Sequence, residues 1–69
     1  MHMGTFAERL KKTLKTNQMS QSELARRIKM SQDSVNGYCT GKAEPPLDTL
    51  RLICKELDET ADYLIGVKD

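Results

Sequence analysis

Sixty-nine residues hold one domain and no more, and a chain this short is stable only if its elements are compact and locally connected. Apolar content is ordinary at 38% and no long apolar run occurs, which excludes a transmembrane helix; nothing resembles a signal peptide. Net charge is only +1, but residues 1–43 carry eight bases against three acids, net +5, and residues 44–69 carry three against seven, net −4. One end of the molecule is thus expected to be positive enough to meet phosphates.

The opening Met1-His2-Met3 reads as a cloning scar, so residues 1–4 are set aside as disordered. Thr5 and Glu8 have the spacing of a capping box, and the helix they open is expected over Phe6–Thr16. Phe6, Leu10 and Leu14 form its apolar stripe, with Arg9, Lys12 and Lys15 facing outward. Asn17-Gln18 breaks the pattern. Ser20 and Glu23 repeat the capping box for a second helix, in which Leu24, Ala25 and Ile28 face inward. The small Ala25 lets the next helix approach closely.

Lys29-Met30-Ser31 is a turn, and Ser31 caps a third helix that stops at Gly41. Winding residues 32–40 at about 100° per residue puts Val35, Tyr38 and Cys39 on one arc. Asp33, Asn36, Gly37 and Thr40 fall on the opposite arc, with Gln32 at its edge. That outer side is small and rich in amide and hydroxyl groups, which can form paired hydrogen bonds with base edges in a DNA major groove. A helix face kept only for solubility would more often carry Lys and Glu.

Lys42-Ala43-Glu44-Pro45-Pro46 is too rich in proline to be helical. A fourth helix follows over Leu47–Leu57, with Leu50, Ile53, Cys54 and Leu57 as its buried stripe and Leu52 off it. Thr60 caps a last helix over Ala61–Ile65, and Gly66 stops it; residues 67–69 are a tail. Cys39 and Cys54 make no CxxC pair and join no His/Cys cluster, so no zinc site is expected. Two small buried thiols in a reducing cytoplasm are the favoured reading; a disulfide between them stays open at this level.

In order along the chain stand Ser20-Gln21-x-x-Leu24-Ala25, Met30-Ser31-x-x-x-Val35, Thr40-Gly41-Lys42, then Pro45, Leu47, Leu50, Leu57 and Asp62-Tyr63-Leu64-Ile65-Gly66. No single piece is specific, but the ordered set over residues 5–66 resembles the phage-repressor/Cro-type (XRE-like) family of helix-turn-helix DNA-binding domains. The resemblance implies an all-α fold, a five-helix lambda-repressor-like bundle. It also implies roles. Gln21 falls where the family holds a DNA phosphate. Gln32 and Asp33 open the recognition helix among its base-reading positions, with Asn36 and Gly37 further along the groove side. Thr40 and Lys42 lie in the segment that grips the backbone.

Gln can pair with adenine, a carboxylate can accept from cytosine N4, Lys neutralises phosphate, and Gly37 leaves room for a base. For Asp33, a first-turn dipole role competes evenly with base contact. Lys12 and Arg9 are further phosphate candidates; Arg26 and Arg27 read as solvated. Lys29 and Asp58 stand at turn positions where the family favours Gly, and Glu59 replaces an apolar residue.

The leading expectation is a sequence-specific DNA-binding regulator, most simply a repressor acting in the cytoplasm as a homodimer on a palindromic operator. Its dimer contact is placed in the acidic half, near Leu52, Glu59 and Tyr63. The alternative is a protein-interaction module of the same fold, antitoxin-like or bridging. An enzyme is rejected: no Ser/His/Asp or Cys/His arrangement or phosphate-cradling loop exists, and the single histidine, His2, is in the scar. No cofactor or metal is expected.

Overall fold

The structure, a computed structural model, describes residues 5–67. The readings of residues 1–4 as a scar and of 68–69 as a tail lie outside the described residues. Five helices follow one another: α1 (Phe6–Thr16), α2 (Gln21–Ile28), α3 (Gln32–Thr40), α4 (Leu47–Leu57) and α5 (Ala61–Leu64). Four of them begin on a hydroxyl cap. Thr5, Ser20, Ser31 and Thr60 each accept a hydrogen bond from the backbone N–H three residues on. Such a cap is worth about 1 kcal/mol.

At α1 the box closes in both directions, since Thr5 N also donates to Glu8 Oε1 at 2.9 Å. At α2 the reciprocal bond expected of Glu23 is replaced. Its carboxylate turns along the helix to Arg26 Nη2 at 2.7 Å and Arg27 Nε at 2.8 Å. Two cations on the same face outbid one backbone amide. α4 starts at Pro46 with no side-chain cap, and α5 ends one residue earlier than expected, leaving Ile65 50% exposed.

The helix ends share one device. Gln18, Lys29, Asp58 and Gly66 all have positive φ, between 53° and 86°. Each of these residues, and the one after it, donates back into the last turn, as in Lys29 N to Arg26 O and Met30 N to Ala25 O. Met19 and Met30 follow the first two of these residues and pack against the core, completing the closure with an apolar contact. Glu59 takes the same place after Asp58, and its Oε1 accepts from Thr60 N at 3.0 Å. The carboxylate thereby secures the α4–α5 junction by hydrogen bonding where a hydrophobic residue would have packed.

Leu10, Leu14, Leu24, Ala25, Ile28, Val35, Tyr38, Cys39, Ile53, Leu57 and Leu64 form one core. α3 lies against both α1 and α2, while α4 rests on α2 and α5 on α1. Two stripes differ from expectation. On α1, Ala7 and Thr13 are buried and Phe6 only half-buried; on α4, Thr49 is buried while Leu50 and Cys54 are half-buried. Thr13 tolerates burial because its Oγ1 donates to Arg9 O at 2.8 Å.

Arg9 does not face outward. Its Nη1 donates to Tyr63 O at 3.1 Å and its guanidinium lies 4.7 Å from the centre of the Tyr63 ring. The long side chain ties α1 to α5 by a cation–π and hydrogen-bond clasp, which withdraws it from the phosphate candidates. Among the described residues no helix is long and apolar enough to cross a membrane.

Candidate nucleic-acid interface

The turn between α2 and α3 is determined at three points. Lys29 reverses the chain with φ 60°, Met30 pins the turn to the core, and Ser31 receives α3. Ser31 Oγ accepts from Ser34 N at 3.1 Å and donates to Ser34 Oγ at 2.9 Å. The cap of α3 is therefore Ser31 itself, and Asp33 stands within the first turn with its side chain exposed. Ala25 of α2 is buried in the core on which α3 packs.

The arc expected to be internal is internal: Val35, Tyr38 and Cys39 are buried. On the other side Gln32, Asp33, Asn36 and Thr40 are exposed, and Gln21 at the head of α2 and Gly37 are half-buried. The outer face of α3 is thus a row of amide, carboxylate and hydroxyl groups with no cation within it. Cations flank it in the next segment, at exposed Lys42, and in the turn, at Lys29.

Two of these polar groups are held from behind. Thr40 Oγ1 donates to Gly37 O at 3.3 Å, so the hydroxyl is turned along the helix. Gln32 Oε1 accepts from Ser22 Oγ at 2.9 Å, a contact between the first turns of α2 and α3. Ser22 had no signal in the sequence beyond standing one residue after Gln21. Gly37 has a structural neighbour of its own. A Cβ there would lie 3.7 Å from Ala43 Cβ, an ordinary contact, and Gly37 O accepts from Lys42 N at 3.0 Å and Ala43 N at 3.2 Å. Its carbonyl closes α3 onto the loop that carries Lys42.

The α1 lysines separate. Lys11 lines a groove with Tyr38, Cys39, Thr40 and Gly41, beside the C-terminal end of α3. Burial pushes the Cys39 thiol up from its ordinary pKa, and the nearby Lys11 charge opposes that rise. Lys12 instead borders a cleft with Asn17, Glu59, Thr60 and Tyr63. Of the two, Lys11 is the lysine that stands beside Thr40 at the end of α3.

Arg26 and Arg27 are engaged with Glu23, and Arg27 Nη1 also reaches Glu56 of α4 at 3.6 Å. The two arginines hold the Glu23 carboxyl below its ordinary pKa. Cys39 and Cys54 are free thiols, the first buried and the second half-buried.

A family model described as helix-turn-helix matches residues 10–64, which contain the whole α2–turn–α3 unit. The chain belongs to the helix-turn-helix family. Among its relatives, the uncharacterized HTH-type transcriptional regulator YobD of Bacillus subtilis (strain 168) is 30% identical over 64 residues, covering 93% of this chain and 57% of its own length. The HTH-type transcriptional regulator for conjugative element R391 of Providencia rettgeri is 40% identical over 50 residues, 72% of this chain and 23% of its own length.

This chain therefore spans about half of the first relative and about a quarter of the second. The solution structure of the DNA-binding domain of the P22 C2 repressor superposes with a TM-score of 0.89 at 23% identity, over 96% of this chain and 87% of that one. The phage-repressor type of helix-turn-helix bundle is thus the fold of this protein.

The dimer candidates divide. Glu59 and Tyr63 line the cleft with Lys12, and the Tyr63 ring is covered by Arg9. Leu52, 44% exposed, lies about 160° around α4 from Leu50 and Cys54. The larger apolar exposure is elsewhere. Leu47, 76% exposed, joins Leu50, Cys54 and Ala61 along one shallow groove. Leu50 continues it into a second groove of about 440 Å³ with Phe6, Pro45 and Ile65.

Proposed function

We propose that this helix-turn-helix chain is a sequence-specific DNA-binding transcriptional regulator, a repressor in the simplest case, which works in the cytoplasm. α3 enters the major groove with Gln32, Asp33, Asn36 and Gly37 toward the bases. Gln21, Thr40 and Lys42, with Lys11 replacing Lys12, hold the phosphates. The observation that carries this reading is the outer face of α3: exposed amide and carboxylate groups on a helix locked at both ends, flanked and not interrupted by cations. The regulators and the repressor domain among its relatives support it.

One such helix reads only a few base pairs, so useful affinity calls for two copies on half-sites about 34 Å apart. We place the homodimer contact on the Leu47–Leu50–Cys54–Ala61–Ile65 strip, which is continuous where the Leu52, Glu59 and Tyr63 set is not. Bury it, and the polar face stays uncovered.

Selection from random duplex DNA at two salt concentrations, with wild type and Gln32→Ala, tests the reading. A palindrome is expected. Gln32→Ala should relax one position in each half by about 1–3 kcal/mol, and log affinity should fall with log salt by about 0.9 per phosphate contact. Sedimentation of the complex should count two chains per duplex. Weak, sequence-blind binding that Gln32→Ala leaves unchanged would refute it and turn attention to a protein ligand.

A further inference from the structure

Tyr38 is a core residue with a polar end. Only 5% of it is exposed, and it belongs to the single apolar cluster of the bundle. A buried tyrosine usually finds a hydrogen-bond partner for its hydroxyl inside the protein. This one makes no hydrogen bond among the described residues, yet its oxygen is not among their enclosed polar atoms that lack a partner. The ring is therefore packed and the hydroxyl lies where the core meets the surface. For packing alone, Phe would serve as well.

Tyr38 lines a groove of about 410 Å³ between the start of α1 and the end of α3, together with Lys11, Thr40, Gly41 and Ala43. Thr40 also belongs to the outer polar face of α3, so the groove opens at the edge of that face. The Lys11 charge is close enough to act on the Cys39 thiol, and exposed Lys42 stands between the lining residues Gly41 and Ala43. Two carboxylates share the groove. That of Glu8 is drawn to the α1 cap, where its Oε1 accepts from Thr5 N at 2.9 Å, and that of Glu44 is exposed.

We infer that Tyr38 contacts DNA as well as filling the core: its hydroxyl donates to a backbone phosphate that Lys11 neutralises, seated in the groove at the end of α3. The inference rests on the reading of α3 as the helix that enters the major groove. A phosphate offers only acceptors, and a phenol O–H bonded to an anionic oxygen makes a short, charge-assisted bond. Because the ring is already immobilised by packing, little side-chain freedom remains to be lost on binding. A base edge suits the hydroxyl less, since Tyr38 leaves the inner arc of α3 while the bases meet the outer one. Contacts to phosphate position the helix and carry no sequence information of their own.

The test compares wild type, Tyr38→Phe, Lys11→Met and the double variant on the selected duplex, with melting temperatures alongside. Tyr38→Phe removes one oxygen and keeps the packing. It should weaken binding about three- to tenfold on specific and unrelated duplexes alike, with melting temperature and selected sequence unchanged. Its salt slope should stay level, because a neutral hydroxyl releases no counterion, whereas Lys11→Met should lower the slope by about 0.9. Single phosphates are then replaced by neutral methylphosphonates. One replacement in each half-site should cost wild type affinity, and both Tyr38→Phe and Lys11→Met should shrink that cost at the same phosphate.

Tyr38→Phe that binds as tightly as wild type, that melts lower, or that selects a different sequence overturns the phosphate contact while base reading by α3 stands. Different phosphates for Tyr38 and Lys11 overturn it equally. If wild type selects no sequence and Gln32→Ala changes nothing, the reading of α3 falls and the inference with it.

Discussion

The stretch from Ser20 to Lys42 and the stretch from Pro46 to Val67 are built from the same parts and finished differently. Each has two helices joined by a turn whose reversing residue, Lys29 or Asp58, is a non-glycine with positive φ. In the first, hydroxyl caps open both helices, an apolar Met30 closes the turn, and what remains outside is polar or charged. In the second, Pro46 opens α4 without a side-chain cap, Glu59 closes the turn, and Leu47, Leu52, Ile65 and Val67 remain exposed. Local closure so complete leaves the first half nothing to bury, and its surface suits a hydrated, polar ligand. The second half keeps apolar area in contact with water, the condition under which a protein surface gains by covering it.

Overpacking the first half and charging the second should separate the two most clearly. Ala25→Leu puts a branched side chain into the packed core beneath α2 and should cost about 1–3 kcal/mol, read as a lower denaturation midpoint. Leu47→Asp removes an exposed side chain and should leave monomer stability within about 0.5 kcal/mol. Sedimentation should nevertheless show it shifting the chain from dimer to monomer. A Leu47→Asp protein as unstable as Ala25→Leu would mean that the strip belongs to the fold and not to an interface.

Most of the fold was legible because this chain states its helix ends in local chemistry. Thr5, Ser20, Ser31, Thr60, Gly41 and the two prolines mark boundaries by hydrogen bonding and dihedral preference, which need no tertiary partner. What escaped needed one. Arg9 looks like any outward base until Tyr63, 54 residues away, is known to lie beside it. Lys11 flanks the Phe6–Leu10–Leu14 stripe and Lys12 lies nearly opposite it, and the stripe does not say which side of α1 meets α3. Gln18 reverses the chain without being glycine, so nothing announced it. Ser22 acts ten residues away on Gln32, across the helix pair. The outer face of α3 was readable by winding alone; which of its groups are held, and by what, was not.

A subtler probe uses the two equivalent turns against each other. A non-glycine residue in left-handed geometry costs about 1–2 kcal/mol, part of which glycine returns through its greater unfolded freedom. Asp58→Gly and Lys29→Gly should therefore each raise stability by about 0.5–1 kcal/mol, seen as a higher urea midpoint. They should part on DNA. Lys29 flanks the polar face, so its loss should lower affinity and flatten the salt slope by about one unit, whereas Asp58→Gly should alter neither. Equal effects on DNA would mean that Lys29 serves only the turn.

The smallest expected effect concerns Glu23, whose carboxylate gave up its capping bond for Arg26 and Arg27. Those partners lower its pKa in the folded protein relative to the unfolded chain. Between the two values the unfolded state binds more protons, so stability rises with pH there. The contribution is complete above the unfolded value and lost as pH falls through the folded one. Because water surrounds the pair, the contribution is small.

Wild type should melt slightly above Glu23→Gln at neutral pH, and the two melting temperatures should converge in acid below the ordinary glutamate range. A first-turn carboxylate also favours the helix dipole, and that term vanishes on protonation with the same sign, so convergence is expected whichever dominates. Salt distinguishes less than sequence position does. In a variant with Arg26 and Arg27 both changed to Gln, a gap that survives at neutral pH belongs to the dipole, and one that closes belongs to the ion pairs that replaced the second half of the capping box.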